Sequence, residues 1–243
     1  MRSLPKYNHG ATLPEKMFAV LLTAVAVVAI FSFTVNSEDP PTISHDGLHL
    51  DEDSGRSIIY VKPDADFSVY DQFLMLDAYV AFKKNWVRNT KVAGRRISNK
   101  DLERIKAEAA ELLYESFKEE LDENGGYRFV EAADDNVMIM RPALIDLEIT
   151  APDLMQGGRT TQYVASAGAA TIYLELYDSV SGEILARIVD RRSMRDYGVA
   201  QWANRASNRA DAKRMFKRWG QLLREGMDEQ RKEAGLAPIK PAT

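Results

Sequence analysis

Residues 17–33, MFAVLLTAVAVVAIFSF, run for 17 consecutive positions without a charge, and no helical stripe of polar side chains breaks them. A soluble helix keeps one wet face. This run has none, so it is expected to lie in a membrane and takes the first 35 residues out of any globular fold. With Thr34 and Val35 added it reaches the lower range of lengths that cross hydrocarbon. Arg2, Lys6 and Lys16 precede it, and Glu38 and Asp39 follow. The positive flank stays in the cytoplasm, so the remainder is expected on the far side of the membrane. The run exceeds the apolar region usual for a secretory signal, and Val35-Asn36-Ser37 is the best of a poor set of cleavage sites. An uncleaved signal anchor over residues 17–35 is therefore the preferred reading. A cleaved signal peptide that releases the protein to the periplasm is the alternative.

The residue inventory narrows the chemistry of the exported part. Cysteine is absent, and His9, His45 and His49 all lie within the first 49 residues. That removes disulfides, thiolate nucleophiles and zinc–thiolate sites, and leaves the folded region without an imidazole base. His45 and His49 stand near Asp46, Asp51 and Asp53, but a flexible acidic tether gives a metal no fixed geometry. No metal and no cofactor is expected. Net charge is only −4, yet it is segregated. Residues 38–78 hold 10 acids and 2 bases, and residues 79–100 hold 7 bases and no acid. Residues 101–153 then hold 15 acids and 5 bases, and residues 187–232 hold 13 bases and 6 acids. Complementarity within the molecule accounts for such blocks, with an anionic ligand as the competing explanation.

Residues 36–57 are rich in Pro, Gly, Ser and acid and read as a linker, with one docked extended piece at residues 48–50. An exported domain follows over residues 58–233, and residues 234–243 form a flexible tail. Strands are expected at 58–61, at 73–82 with a twist or bulge near its end, at 127–130 and at 136–150. A hairpin then joins 163–177 to 184–190 across the turn at 178–182. Pro142 has no N–H to give a ladder and must sit at a bulge or an edge. Ser98 and Asp101 form a capping box opening a helix with a buried stripe from Leu102 to Leu121, stopped by Gly125-Gly126. A second helix starts near Asn208, capped against Asp211, and buries Met215, Phe216, Trp219 and Leu223. The fold class is α+β: a layered domain with a mixed, mainly antiparallel sheet of about five strands packed by two amphipathic helices.

Arg187, Arg191, Arg192, Arg195, Arg205 and Arg209, with Tyr197 and Trp202, form the strongest binding candidate. Guanidinium groups engage carboxylate or phosphate through paired hydrogen bonds, and aromatics stack. Ion pairs to Asp190, Asp196 and Asp211 compete for those arginines. Asp146 and Glu148, two residues apart on one strand, approach the carboxylate spacing of inverting glycosidases, although a water-facing strand produces such pairs without catalysis. Ser166 lacks both the nucleophile elbow and a histidine, and Gly157-Gly158 does not open a phosphate-binding helix.

Several phrases carry a family resemblance: DGL at Asp46, YVKPDADFSVYDQ at Tyr60, RPALIDLEITAPD at Arg141, VASAGAATIYLELYDSVSGEILARIVDRR at Val164, and WANRASNRADAKRMFKRW at Trp202. Together they resemble domain-of-unknown-function family 3313 over about residues 46–229. The resemblance implies a bacterial, export-directed protein of the envelope, in a family composed mostly of lipoprotein-like members with no assigned activity. This chain departs from that habit in having no lipobox cysteine, which strengthens the anchor reading. The expectation is a non-catalytic binding or adaptor domain, single-pass at the inner membrane and facing the periplasm. Its partner is an envelope protein, an anionic glycan or a lipid headgroup, and not nucleic acid. A carboxylate-dependent hydrolase acting on envelope glycan is the alternative.

Overall fold

The computed structural model describes residues 39–92, 95–149, 162–166, 168–193, 196–203 and 205–241. The expected cytoplasmic tail and membrane segment lie outside these residues. Among the described residues no helix is long and apolar enough to cross a membrane. The chain forms β1 (His49–Leu50), β2 (Ile58–Val61), a 3-10 turn (Phe67–Val69), β3 (Gln72–Met75) and β4 (Tyr79–Phe82). Next come the one-turn helix α1 (Trp86–Asn89), β5 (Lys91–Val92), β6 (Arg95–Arg96) and the long helix α2 (Asn99–Lys118), which ends in a π turn (Glu119–Glu123). The second half holds β7 (Arg128–Phe129), β8 (Val137–Ile149), β9 (Gln162–Ser166), β10 (Gly168–Asp178), β11 (Ile184–Ser193), β12 (Asp196–Ala203) and the helix α3 (Arg205–Glu233).

Eight strands form the main sheet in the order β1-β2-β11-β10-β8-β3-β7, with β4 also on β8. The pairs from β1 to β8 are antiparallel, while β3, β4 and β7 run parallel to their neighbours. The architecture is thus a mixed, mainly antiparallel sheet with helices, as expected, but the strand number is larger than five. Two-residue edge strands are too short to show a period in sequence, and the expected 73–82 strand is two strands in tandem. β3 lies along Val137–Met140 and β4 along Ala143–Leu147.

That interruption explains Pro142. The Met140 carbonyl accepts from the Leu76 N–H at 2.9 Å, so the backbone groups of Pro142, two residues on, face the same neighbour. Opposite them lie residues 76–78, between the two short strands. The missing donor falls where no ladder exists to receive it, and proline is tolerated inside β8, the longest strand of the sheet. A bulge follows. Asp146 adopts φ +50 and the register against β10 slips between Ala169 and Thr171, so Leu144 and Leu147, three residues apart, both reach the core.

One face of the sheet carries α2 and α3. The core between them includes Phe73, Phe117, Leu121, Met138, Leu144, Ile172, Leu174, Phe216 and Trp219. The two helices approach closely at Gly220, where an added Cβ would stand 3.1 Å from the Glu120 Cβ. The α2 cap is as expected: Ser98 Oγ accepts from the Asp101 N–H at 3.2 Å. The second helix starts earlier than Asn208, because Arg205 and Ala206 are themselves strong helix formers and extend it upstream. Acids of α2 meet bases of α3, with Glu115 paired to Arg209 and Glu119 to Lys213 and Lys217. Complementarity within the molecule therefore accounts for the charges where these two helices meet.

Both ends of the domain extend beyond residues 58–233. Upstream, Ile43 bridges His49, Tyr60 donates its hydroxyl to the Pro41 carbonyl at 2.8 Å, and Leu48 is buried. Residues 41–50 are thus a docked strap and not free linker. Downstream, the expected flexible tail is packed. Ile239 lies on the core, and Gly126, at φ +80, sits under Lys240, whose carbonyl leaves no room for a Cβ there.

Candidate functional site

The alternation in TIYLELY puts Ile172, Leu174 and Leu176 on the helix side of β10, which leaves Tyr173, Glu175 and Tyr177 on the other face. The register then sets Arg141 of β8 and Arg187 of β11 on either side of Glu175. Glu175 is 3% exposed and fully engaged. It accepts from Arg141 Nε at 2.8 Å, from Arg187 Nε at 3.2 Å and Nη2 at 3.1 Å, and from the Tyr173 and Tyr177 hydroxyls at 2.9 and 2.8 Å. Burial acts to raise its carboxyl pKa, but Arg141 and the tyrosine hydroxyls outweigh that and hold it below the usual range. Burial and the Glu175 charge push both tyrosines up. All ring hydroxyls here stay protonated donors, and the cluster is a closed ion network.

Arg187 therefore does not stand at an open arginine edge. It is 8% exposed, and its outer nitrogens grip Asp46 of the strap, with Nη1 donating to Oδ1 at 3.0 Å and Nη2 to Oδ2. The other predicted residues are dispersed. Arg191 donates to Glu148 at 2.8 Å. Arg192 pairs with the buried Asp190, which also accepts from Trp219 Nε1 at 2.6 Å on the helix side. Arg209 lies on α3 against Glu115. Tyr197 and Trp202 are on β12, with Trp202 opposite Tyr163, and Arg205 opens α3. Arg195 lies outside the described residues.

The carboxylate pair does not have the regular geometry read from the sequence. Asp146 is the bulged residue, so the pleat does not carry it and Glu148 along one face. Glu148 accepts from both Lys83, at 2.9 Å, and Arg191. Burial acts to raise its pKa, but the two cations outweigh it and keep the group ionised. A carboxylate held ionised between two cations is a poor proton donor. Among the described residues no cluster of His, Asp and Glu has the layout of a metal site.

Sequence reasoning passed over a second cationic feature that adjoins Arg191. A hollow of about 550 Å³ opens between the end of β4, α1 and the approach to α2. Among the described residues its charged lining is Lys83, Lys84, Arg88 and Arg96, with no acidic residue. Lys83 is shared with Glu148. Lys84, Arg88 and Arg96 have no ion pair or hydrogen-bonded side-chain partner among the described residues. Phe82, Val87 and Ile97 supply apolar wall. The frame is firm: Trp86 stacks on Phe82 with ring centroids 4.7 Å apart, the Thr90 N–H closes α1 onto the Trp86 carbonyl at 2.9 Å, and Ile97 is buried. Asn85, at φ +67, turns the chain from β4 into α1, a conformation asparagine tolerates better than most residues. The signal for this hollow in the sequence was the run of seven bases without an acid over residues 79–100.

No curated protein matches this chain. Among solved structures, similarity is found to a PelC dodecamer subunit from Paraburkholderia phytofirmans, at 10% identity and TM-score 0.35, covering 69% of this chain and 97% of that one. Protein XCC0632 from Xanthomonas campestris aligns at 11% identity and TM-score 0.35, covering 72% and 93%. A putative neuraminyllactose-binding hemagglutinin homolog from Helicobacter pylori aligns at 10% identity and TM-score 0.34, covering 67% and 86%. The family model described as "Protein of unknown function (DUF3313)" matches residues 41–223, and the chain belongs to that family.

Proposed function

We propose that this protein is a non-catalytic binding or adaptor domain of the bacterial envelope, tethered to the inner membrane by residues 17–35 and holding an anionic partner on the periplasmic side. One observation carries the reading. Cations elsewhere on the domain are largely paired, from Arg187 in its closed network to the α2–α3 bridges, whereas Lys84, Arg88 and Arg96 line a hollow where no carboxylate among the described residues answers them. Unpaired like charges gathered in a concavity repel one another and raise the local concentration of anions. Arg191 extends the same surface, joined to the hollow through Glu148 and Lys83.

The test is photo-crosslinking of the full chain in its own membranes, with the probe placed at Asn99 on the rim of the hollow. The Arg88→Glu/Arg96→Glu variant is expected to lose the crosslinked partner. Arg209→Glu, which changes a paired arginine on α3, is expected to keep it. Equal capture by all three proteins would remove the hollow as the binding surface.

A further inference from the structure

The hollow's own chemistry selects among anions. After Lys83 is matched to Glu148, three positive charges remain around a space of about 550 Å³, within the size range of small-molecule sites. A carboxylate brings one negative charge and two oxygens, which leaves two cations facing each other unanswered. A phosphate monoester brings a charge of about −1.5 to −2 and three strong acceptor oxygens. Arginine forks hydrogen-bond such a group in pairs, while a lysine contributes a point charge. Arg88 comes from α1, Arg96 from β6 and Lys84 from the end of β4, so the three donors approach from separate elements. The wall is not uniformly polar. Phe82, Val87 and Ile97 offer apolar surface beside the cations, which suits a ligand whose charged head joins an apolar body.

We infer that the hollow lined by Lys84, Arg88 and Arg96 is a binding site for a phosphate ester with an apolar or aromatic substituent, either a soluble small molecule or the headgroup of a phospholipid. This inference rests on the anionic-partner reading above and specifies its ligand. The head lies among the three cations and the substituent against Phe82, Val87 and Ile97. No bond is made or broken.

Calorimetric titration of the full chain in detergent tests it, with phenyl phosphate as probe and benzoate as the carboxylate of matched shape. Phenyl phosphate is expected to bind at least about tenfold more tightly than benzoate. The Arg88→Gln/Arg96→Gln variant is expected to lose about tenfold or more of that affinity, as removal of charge-assisted hydrogen bonds implies. Lys84→Gln should weaken binding less, and Arg209→Gln not at all. An unchanged thermal melting transition shows that each variant is folded, and Lys84→Gln serves if the double variant is not. Nanodiscs with and without phosphatidic acid identify the source: stronger association of the full chain with phosphatidic acid, lost in the same variants, assigns the lipid headgroup, and phenyl phosphate binding without it assigns a soluble ester. Equal binding of benzoate and phenyl phosphate, lost together in the variant, overturns the phosphate assignment and leaves the anionic-partner reading standing. Absence of binding by every probe, together with unaltered crosslinking by Arg88→Glu/Arg96→Glu, overturns both.

Discussion

Glu175 shows how one buried charge organises its surroundings. It has six donors from four side chains, and the two guanidinium groups on either side of it also lie over aromatic rings: Arg141 is 5.3 Å from the Tyr177 centroid and Arg187 is 5.8 Å from that of Tyr173. Breaking a buried ion pair by deleting one partner costs about 3–5 kcal/mol, because the remaining charge stays desolvated. Glu175→Ala leaves Arg141 without its carboxylate and Arg187 with only Asp46, so its loss of stability in a denaturant titration is expected at or above the lower end of that range. Glu115→Ala removes a pair to Arg209 in which both side chains are nearly half exposed. Its expected effect is below about 1 kcal/mol. Equal effects for the two variants would contradict the closed-network account. The same contrast separates the arginines of the sequence: Arg187 is structural, whereas Arg191 and the cations of the hollow remain at the surface.

At the scale of elements, the strap of residues 41–50 adds one strong ion pair to its β1–β2 pairing and its buried Leu48. Burial acts to raise the Asp46 pKa, but hydrogen bonds from Arg187 and Ser44 outweigh it and bring it down from 3.8 to about 2. A carboxylate lowered on folding contributes stability that is full above its unfolded pKa and lost as pH falls toward the folded value. The strap should therefore loosen between about pH 4 and pH 2. Protection of the Leu48 amide, which donates to Ser44 Oγ at 3.0 Å, measured against its intrinsic exchange rate at each pH, is expected to fall across that window in the native protein. Asp46→Asn should already lack that protection at pH 5, with little further change on acidification. An unaltered pH profile in the variant would show that another group controls the strap. Deeper in the sheet, β8 illustrates how elements accommodate one another. Pro142 is placed against the gap between β3 and β4, and the Asp146 bulge returns Leu147 to the core.

For the whole molecule, docking of the strap sets how long a lead the proposed anchor would leave. With an anchor ending at residue 35 and the Pro41 carbonyl held by Tyr60, five residues remain between them, with a reach of about 18 Å when fully extended. On the proposed anchor, so short a lead keeps the domain beside the membrane surface, where lipid headgroups supply the class of ligand proposed for the hollow. The absence of cysteine makes the orientation directly measurable. Ala234→Cys, at an exposed position after α3, is expected to react with a membrane-impermeant maleimide in intact spheroplasts. Labelling only after lysis would place the domain in the cytoplasm and sink the periplasmic reading.

The sequence by itself determined the mixed sheet with its amphipathic helices, the Ser98 cap and the central hairpin, because these depend on local periodicity and on neighbours within one or two turns. It also marked residues 79–100 as a base-rich block. What each charge does was decided only in three dimensions. Arg187 and Arg191 are four residues apart on one strand, and no local rule separates them, yet the register sets the first against Glu175 and Asp46 and leaves the second at the surface beside Glu148. The strap, the packed C-terminal segment and the division of 73–82 into two strands likewise depend on partners distant in sequence. Burial and pairing are properties of those long-range contacts, and the free energy of a charge is set by them far more than by the residues beside it in the chain.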